Sequence, residues 1–231
     1  MFVGRVRELG ELGRALDAAR AGSGTAVLVA GEAGIGKTRL ASELAARARG
    51  QGFEVLGRSI DLVGTELPYQ PFVEALGPLG GLPQVDKQAA GSQLRVFQDT
   101  LALLSERAAA APVLLVLEDL HWADTSTLDL VVFLAHNLDD RRVVLLGTYR
   151  ADELASAERV RRLADGVRRS GAALVLELGP FDREEVAALL AAHADAPPPA
   201  ALTEAIVARS EGNPFFAEEL LAAASEGGSE L

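Results

Sequence analysis

The sequence predicts an α/β fold in which five parallel strands form a doubly wound sheet sandwiched by helices, followed by a small helical lid. Three observations carry that prediction. Apolar strand-like runs alternate with helical patterns along most of the chain, as a parallel sheet covered on both faces requires. A glycine-rich turn joins the first of these strands directly to a helix. After Gly179-Pro180 the pattern changes to helix only. The expected organisation is therefore a sheet domain over residues 1–180 and a helical lid with a flexible tail over residues 181–231.

Each element has its own warrant. Val6, Leu9, Leu12 and Leu16 recur at helical spacing and predict a helix over 6–21. Residues 25–30 form an apolar first strand, and a helix over 39–49 follows the turn. The second strand is expected at 53–60. A stretch rich in proline and glycine comes next, with Pro68, Pro71, Pro78 and Pro83, and a short helix is expected near 71–76. A long helix is predicted over 88–110 and a continuous apolar strand over 112–118. Leu128, Val131, Val132, Leu134 and Ala135 define a helix over 126–138. Strands at 142–148 and 172–178 flank an arginine-bearing helix over 157–170. Lid helices are predicted at 183–194, 200–210 and 215–224, and the segment 225–231 is polar.

The glycine-rich turn is Gly31-Glu32-Ala33-Gly34-Ile35-Gly36-Lys37-Thr38, a full match to the phosphate-loop pattern G-x-x-x-x-G-K-[ST]. Its glycines allow the tight curl that turns successive backbone N–H groups toward a β-phosphate, and the next helix offers its positive N-terminal end to the same anion. Lys37 is the mobile charge for the β- and γ-phosphates, and Thr38 supplies a hydroxyl to a Mg²⁺ shell. The expected fold is thus that of a P-loop NTPase, and the expected loop contacts run from Gly31 through Thr38 and on to Arg39.

About eighty residues further on, Val113-Leu-Leu-Val-Leu-Glu118-Asp119 delivers two adjacent carboxylates at the end of an apolar strand. This has the form of a Walker B element, where one acid serves the Mg²⁺ shell and the other orients the attacking water. Neighbouring side chains on a strand point to opposite faces, so the two cannot be equivalent. Glu118 is assigned to the metal and Asp119 to the water. The strand at 142–148 runs into Thr148-Tyr-Arg150, which places a hydroxyl and a guanidinium at the sheet edge where ligands of open α/β sheets sit. Arg150 could read a γ-phosphate bidentately there. No Asn-Lys-x-Asp or Thr-Lys-x-Asp segment is present to pair with a guanine edge, which disfavours guanine nucleotides.

Composition excludes several classes. No apolar run approaches the roughly 18 residues of a membrane span, and residues 1–5 open no signal-peptide pattern, so a cytoplasmic protein is expected. Zero cysteines exclude disulfides and thiolate metal sites, and His121, His136 and His193 lack metal-ligand spacing. A net charge of −11 opposes direct nucleic-acid binding by this segment. Arg159, Arg161, Arg162, Arg168 and Arg169 read as the solvated face of a helix.

Taken together, residues 2–9 (Phe-Val-Gly-Arg-Val-Arg-Glu-Leu), the phosphate loop, residues 117–124 (Leu-Glu-Asp-Leu-His-Trp-Ala-Asp), Gly147-Thr-Tyr-Arg150 and residues 211–220 (Glu-Gly-Asn-Pro-Phe-Phe-Ala-Glu-Glu-Leu) resemble the AAA-like ATPase module of signal-transducing STAND NTPases. The likeness is strongest to bacterial LuxR-type large ATP-binding regulators. It implies that Val3, Gly4 and Arg5 lie near adenine, that Arg150 is a sensor arginine and that Pro214 closes the lid over the base. Asn213 and Pro214 also suit an ordinary helix cap and first turn. ATP or ADP with Mg²⁺ are the implied cofactors. Because such regulators continue into helical repeats and a helix-turn-helix, further domains or protein partners are implied, with a monomer expected for the segment alone. His121 and Trp122 belong to the resemblance, and packing of the loop after the acidic strand is the role expected of them. Two functions remain open: a slowly hydrolysing ATPase switch, and a non-hydrolysing interaction module that keeps its nucleotide as a structural cofactor. A metabolic kinase is a weaker third.

Overall fold

The computed structural model describes residues 2–59, 68–77, 92–151, 157–194 and 196–226. Helix α1 (Val6–Arg20) leads into strand β1 (Thr25–Gly31), which the phosphate loop joins to α2 (Lys37–Gly50). Strand β2 (Glu54–Ser59), the short helix α3 (Gln70–Leu76) and α4 (Ser92–Ala110) follow. Strand β3 (Val113–Glu118) ends in a single 3₁₀ turn at Leu120–Trp122, before α5 (Thr125–Ala135) and β4 (Val143–Arg150). Then come α6 (Ala157–Arg169), β5 (Ala173–Leu178), α7 (Arg183–His193), α8 (Ala200–Ser210) and α9 (Pro214–Glu226). The expectations for Ile60, Pro78, Pro83, residues 88–91 and residues 227–231 lie outside the described residues.

All five strands are parallel, in the order β2-β3-β4-β1-β5. Alternation along each strand splits the apolar side chains between the two faces. Ala26, Leu28 and Ala30 of β1, with Leu115 and Leu117 of β3 and Leu145 and Tyr149 of β4, face a core closed by α3 to α6. Val27 and Val29, with Leu114, Val144 and Leu146, face α1 and α2. Both faces are covered, which is why the strands read as continuous apolar runs. A third cluster, built on Phe181, Val186, Leu190, Ile206 and Leu221, belongs to the last three helices, and Val3 packs against it. Among the described residues no helix is long and apolar enough to cross a membrane.

Two element ends differ from the sequence reading in ways that bear on the site. Strand β4 was expected to stop at Thr148, yet Ala30 pairs with Tyr149 and Gly31 with Arg150, so pairing with β1 extends it by two residues. Arg150 is therefore the last residue of the strand, not two residues beyond it. Helix α2 begins at Lys37, two residues earlier than expected, because Gly36 adopts a left-handed φ of 100° and starts the helix directly from the loop.

Candidate nucleotide site

The order of the sheet puts β4 between β1 and β3, so the phosphate loop, Thr148 and Arg150, and Glu118 and Asp119 leave adjacent strands at one edge. The helix that follows the loop lacks the side-chain caps that α5 and α7 carry. Asp124 accepts from the Thr127 N–H at the start of α5, and Asp182 and Glu185 form a reciprocal capping box at α7. Helix α2 has Gly36 at its cap, no side-chain cap and no acid in its first turn. No side-chain cap and no carboxylate compete at this N-terminus, where the helix dipole favours an anion.

Lys37 is buried and spans the loop, donating to the carbonyls of Gly31 at 2.9 Å and Glu32 at 2.8 Å. Both acceptors are neutral, so a phosphate would offer the ammonium a stronger partner. Across the edge, burial pushes the Glu118 carboxyl above its ordinary range and the nearby Asp119 charge adds to that rise, while a hydrogen bond with the Thr38 side chain works against it. Glu118 Oε2 is buried with no hydrogen-bond partner among the described residues. A threonine hydroxyl beside a partly satisfied buried carboxylate is a donor set that fits Mg²⁺, an ion that takes oxygen ligands and keeps several waters.

Asp119 leaves the strand in the left-handed region, with φ 61°. Its backbone N–H donates to the Thr148 hydroxyl at 3.0 Å, which fixes the turn. Gly147 is needed at the same place, because a Cβ there would lie 2.6 Å from Leu120 Cδ1 and 2.8 Å from Leu28 Cδ2. His121 is buried, 3.8 Å from Asp119 and 4.8 Å between ring centres from Trp122. Trp122 is half-buried beside it.

The residues expected around adenine stand between sheet and lid. Arg5 is buried at φ 57°, with its guanidinium 3.0 Å from the Ile35 carbonyl and 4.7 Å above the Phe181 ring. Its backbone N–H donates to Glu185 at 3.3 Å. Burial lowers the Arg5 pKa, and the carboxylates of Glu8 and Glu185 oppose that fall. Gly4 lies against Phe181 and Glu185. Arg39 is engaged by the lid, at 3.0 Å from Glu218 and 3.3 Å from His193 Nε2. Pro214 is buried at the start of α9.

Asn213 is the site residue that sequence reasoning missed. Its Oδ1 caps α9, accepting from Phe215 N–H at 3.1 Å and Phe216 N–H at 3.5 Å, while its Nδ2 donates to the Ala33 carbonyl at 2.9 Å. The Phe215 N–H also lies 3.3 Å from the Gly34 carbonyl. The start of α9 is thus hydrogen-bonded to the phosphate loop itself. The only signal in the sequence was the cap; its partner is 180 residues away. The arginines of α6 are exposed as expected, but Arg161 and Arg168 also edge a cleft of about 440 Å³ that reaches Gly31 and Tyr149. Burial, with Glu177 and Asp165 nearby, pushes the Tyr149 hydroxyl up to about 12.

Fold and site together define a P-loop nucleotide-binding module in which three helices, α7 to α9, follow the last strand. Residues 1–146 match the AAA ATPase domain family, and the chain belongs to that family. It is an AAA-like ATPase module. No curated protein matches it. Among solved structures, a variant of RuvB from Thermotoga maritima shares 21% identity at a TM-score of 0.60, over 97% of this chain and 63% of that one. The ORC2 protein of Aeropyrum pernix, in ADPNP–ADP complexes, shares 16% identity at 0.62, over 100% and 66%. A signal transduction ATPase with numerous domains from Pyrococcus horikoshii, which carries a tetratricopeptide-repeat sensor, shares 16% identity at 0.56, over 95% and 30%. At these identities the likeness shows the fold. The chain spans less than two thirds of the RuvB structure and under a third of the Pyrococcus one.

Proposed function

We propose that the chain is the nucleotide-switched module of a signal-transducing regulator, binding ATP or ADP with Mg²⁺ and hydrolysing ATP slowly. The observation that carries this reading is the direct bonding of the lid to the phosphate loop, through Asn213 to Ala33 and Phe215 to Gly34. A change in what the loop holds would then reach α9 and the helices packed against it. Lys37 and the N-terminal end of α2 would bind the phosphates. Thr38 and Glu118 would hold the metal ion, which supplies charge neutralisation and polarisation of the phosphoryl oxygens when bound. Asp119 would orient the attacking water, and Arg150, beside Gly31, would report the γ-phosphate. Val3, Gly4, Arg5 and Pro214 would enclose the base.

Slow turnover is expected because phosphoryl transfer needs positive charge beyond Lys37 and the metal, and an arginine supplied in trans contributes about 10³ to 10⁵ in rate. Steady-state phosphate release across protein concentration tests the reading. We expect turnover well below about one per second, where ordinary enzymes reach about 1 to 10³ s⁻¹. Fast, concentration-independent turnover in a dilute monomer would mark a self-sufficient ATPase. Complete absence of turnover with retained nucleotide would mark a structural cofactor.

A further inference from the structure

We infer that Asn213 and Arg5 are positioning residues that aim the backbone N–H groups of the phosphate loop, so that the lid and the N-terminal segment set the loop's affinity for phosphate. The inference deepens the reading of the loop as an adenine-nucleotide site and rests on it.

Three consecutive loop carbonyls are held from outside: Ala33 by the Asn213 amide at 2.9 Å, Gly34 by the Phe215 N–H at 3.3 Å and Ile35 by the Arg5 guanidinium at 3.0 Å. A trans peptide is planar, with the C=O of one residue antiparallel to the N–H of the next. Pulling the Ala33 and Ile35 carbonyls outward therefore turns the N–H groups of Gly34 and Gly36 inward. The Ile35 N–H, governed by the Gly34 carbonyl, closes the turn onto Glu32 at 3.4 Å. Gly34 and Gly36 both hold left-handed φ, at 75° and 100°. Such alternation makes a concave nest of N–H groups for an anion. Without the outer bonds these peptide planes could rotate, since only their orientation distinguishes a nest from an ordinary loop.

The brace has a distinct chemical signature. A residue that closes over the base affects every adenine ligand alike, whereas one that aims loop N–H groups affects the ligand with a β-phosphate most. Asn213→Ser separates the roles of this side chain, because serine caps a helix about as well as asparagine but is too short to reach Ala33. The test is displacement of a fluorescent ADP analogue by unlabelled ADP and by AMP. In Asn213→Ser, ADP affinity is expected to fall by about ten- to a hundredfold, the scale of a lost hydrogen bond to a charged group, and AMP affinity by less than about threefold. Because Arg5 also borders the base, Arg5→Met, which keeps an unbranched stem near Phe181 and removes the donor to Ile35, is expected to weaken both ligands, ADP by about tenfold more than AMP, and serves if the first variant does not fold. Equal losses for ADP and AMP, or no loss for either, overturn the brace while leaving the nucleotide site standing. A wild-type chain that takes up neither the probe nor ADP overturns the nucleotide reading and the brace with it.

Discussion

The Thr148 hydroxyl accepts a hydrogen bond from the backbone N–H of Asp119 at 3.0 Å, tying the turn after the acidic strand to the strand that lies next to the phosphate loop. Asp119 sits in a left-handed conformation that most residues avoid, so the bond helps hold the carboxylate where it is. Thr148→Val keeps the shape and removes the acceptor. Stranding the N–H costs about 1 to 3 kcal/mol. We expect a lower melting temperature and slower single-turnover hydrolysis, with ATP affinity unchanged. Unchanged turnover would show that the turn needs no such tie.

Lys37→Ala should weaken ATP binding by about 2 to 5 kcal/mol, the range for removing one partner of a desolvated charge pair. The fold should survive, because the ammonium bonds the loop carbonyls of Gly31 and Glu32. Equilibrium dialysis with a circular dichroism control checks both parts.

Much of this site was legible in the chain, for physical reasons that differ by residue. Lys37 and Thr38 announce themselves because phosphate binding dictates both residue type and spacing. Glu118 was legible because a strand buried on both faces must be apolar to its end, so a carboxylate there is conspicuous. The strand order was not legible, since local periodicity says nothing about which parallel neighbour each strand takes. The two-residue extension of β4 was hidden for the same reason, being set by pairing with Ala30 and Gly31. Contacts such as Asn213 to Ala33 and Arg39 to Glu218 join the two ends of the chain, and no local pattern marks them.

Glu118 makes the stability of the ligand-free protein depend on pH. Its folded-state pKa is raised, chiefly by burial, above that of the unfolded chain. The fold is therefore favoured while the carboxyl is protonated, fully so below the unfolded value, and that advantage is lost as pH rises through the raised folded value. Glu118→Gln should melt higher than the wild type at neutral pH without Mg²⁺, and the gap should close in acid. Melting curves against pH would expose the opposite sign if the charge is instead well compensated.

Gly34→Ala tests the lid contact from the loop side. A Cβ there would sit 2.9 Å from Phe215 Cβ and 3.0 Å from Asn213 Oδ1, at a φ of 75°. The left-handed strain alone is about 1 to 2 kcal/mol. We expect the lid to lift, read as faster amide exchange at Phe215 and Phe216. Exchange at the wild-type rate would mean that the contact does not hold the lid.

If the loop, the acidic strand end and the lid form one adenine-nucleotide site, calorimetric titration of the nucleotide-stripped chain in Mg²⁺ will read it as a single binding event. We expect one-to-one binding of ATP and of ADP, lost in Lys37→Ala, with GTP weaker by about tenfold or more, a difference of about 1.4 kcal/mol. Absence of heat with both adenine nucleotides, or equal affinity for ATP and GTP, would contradict it.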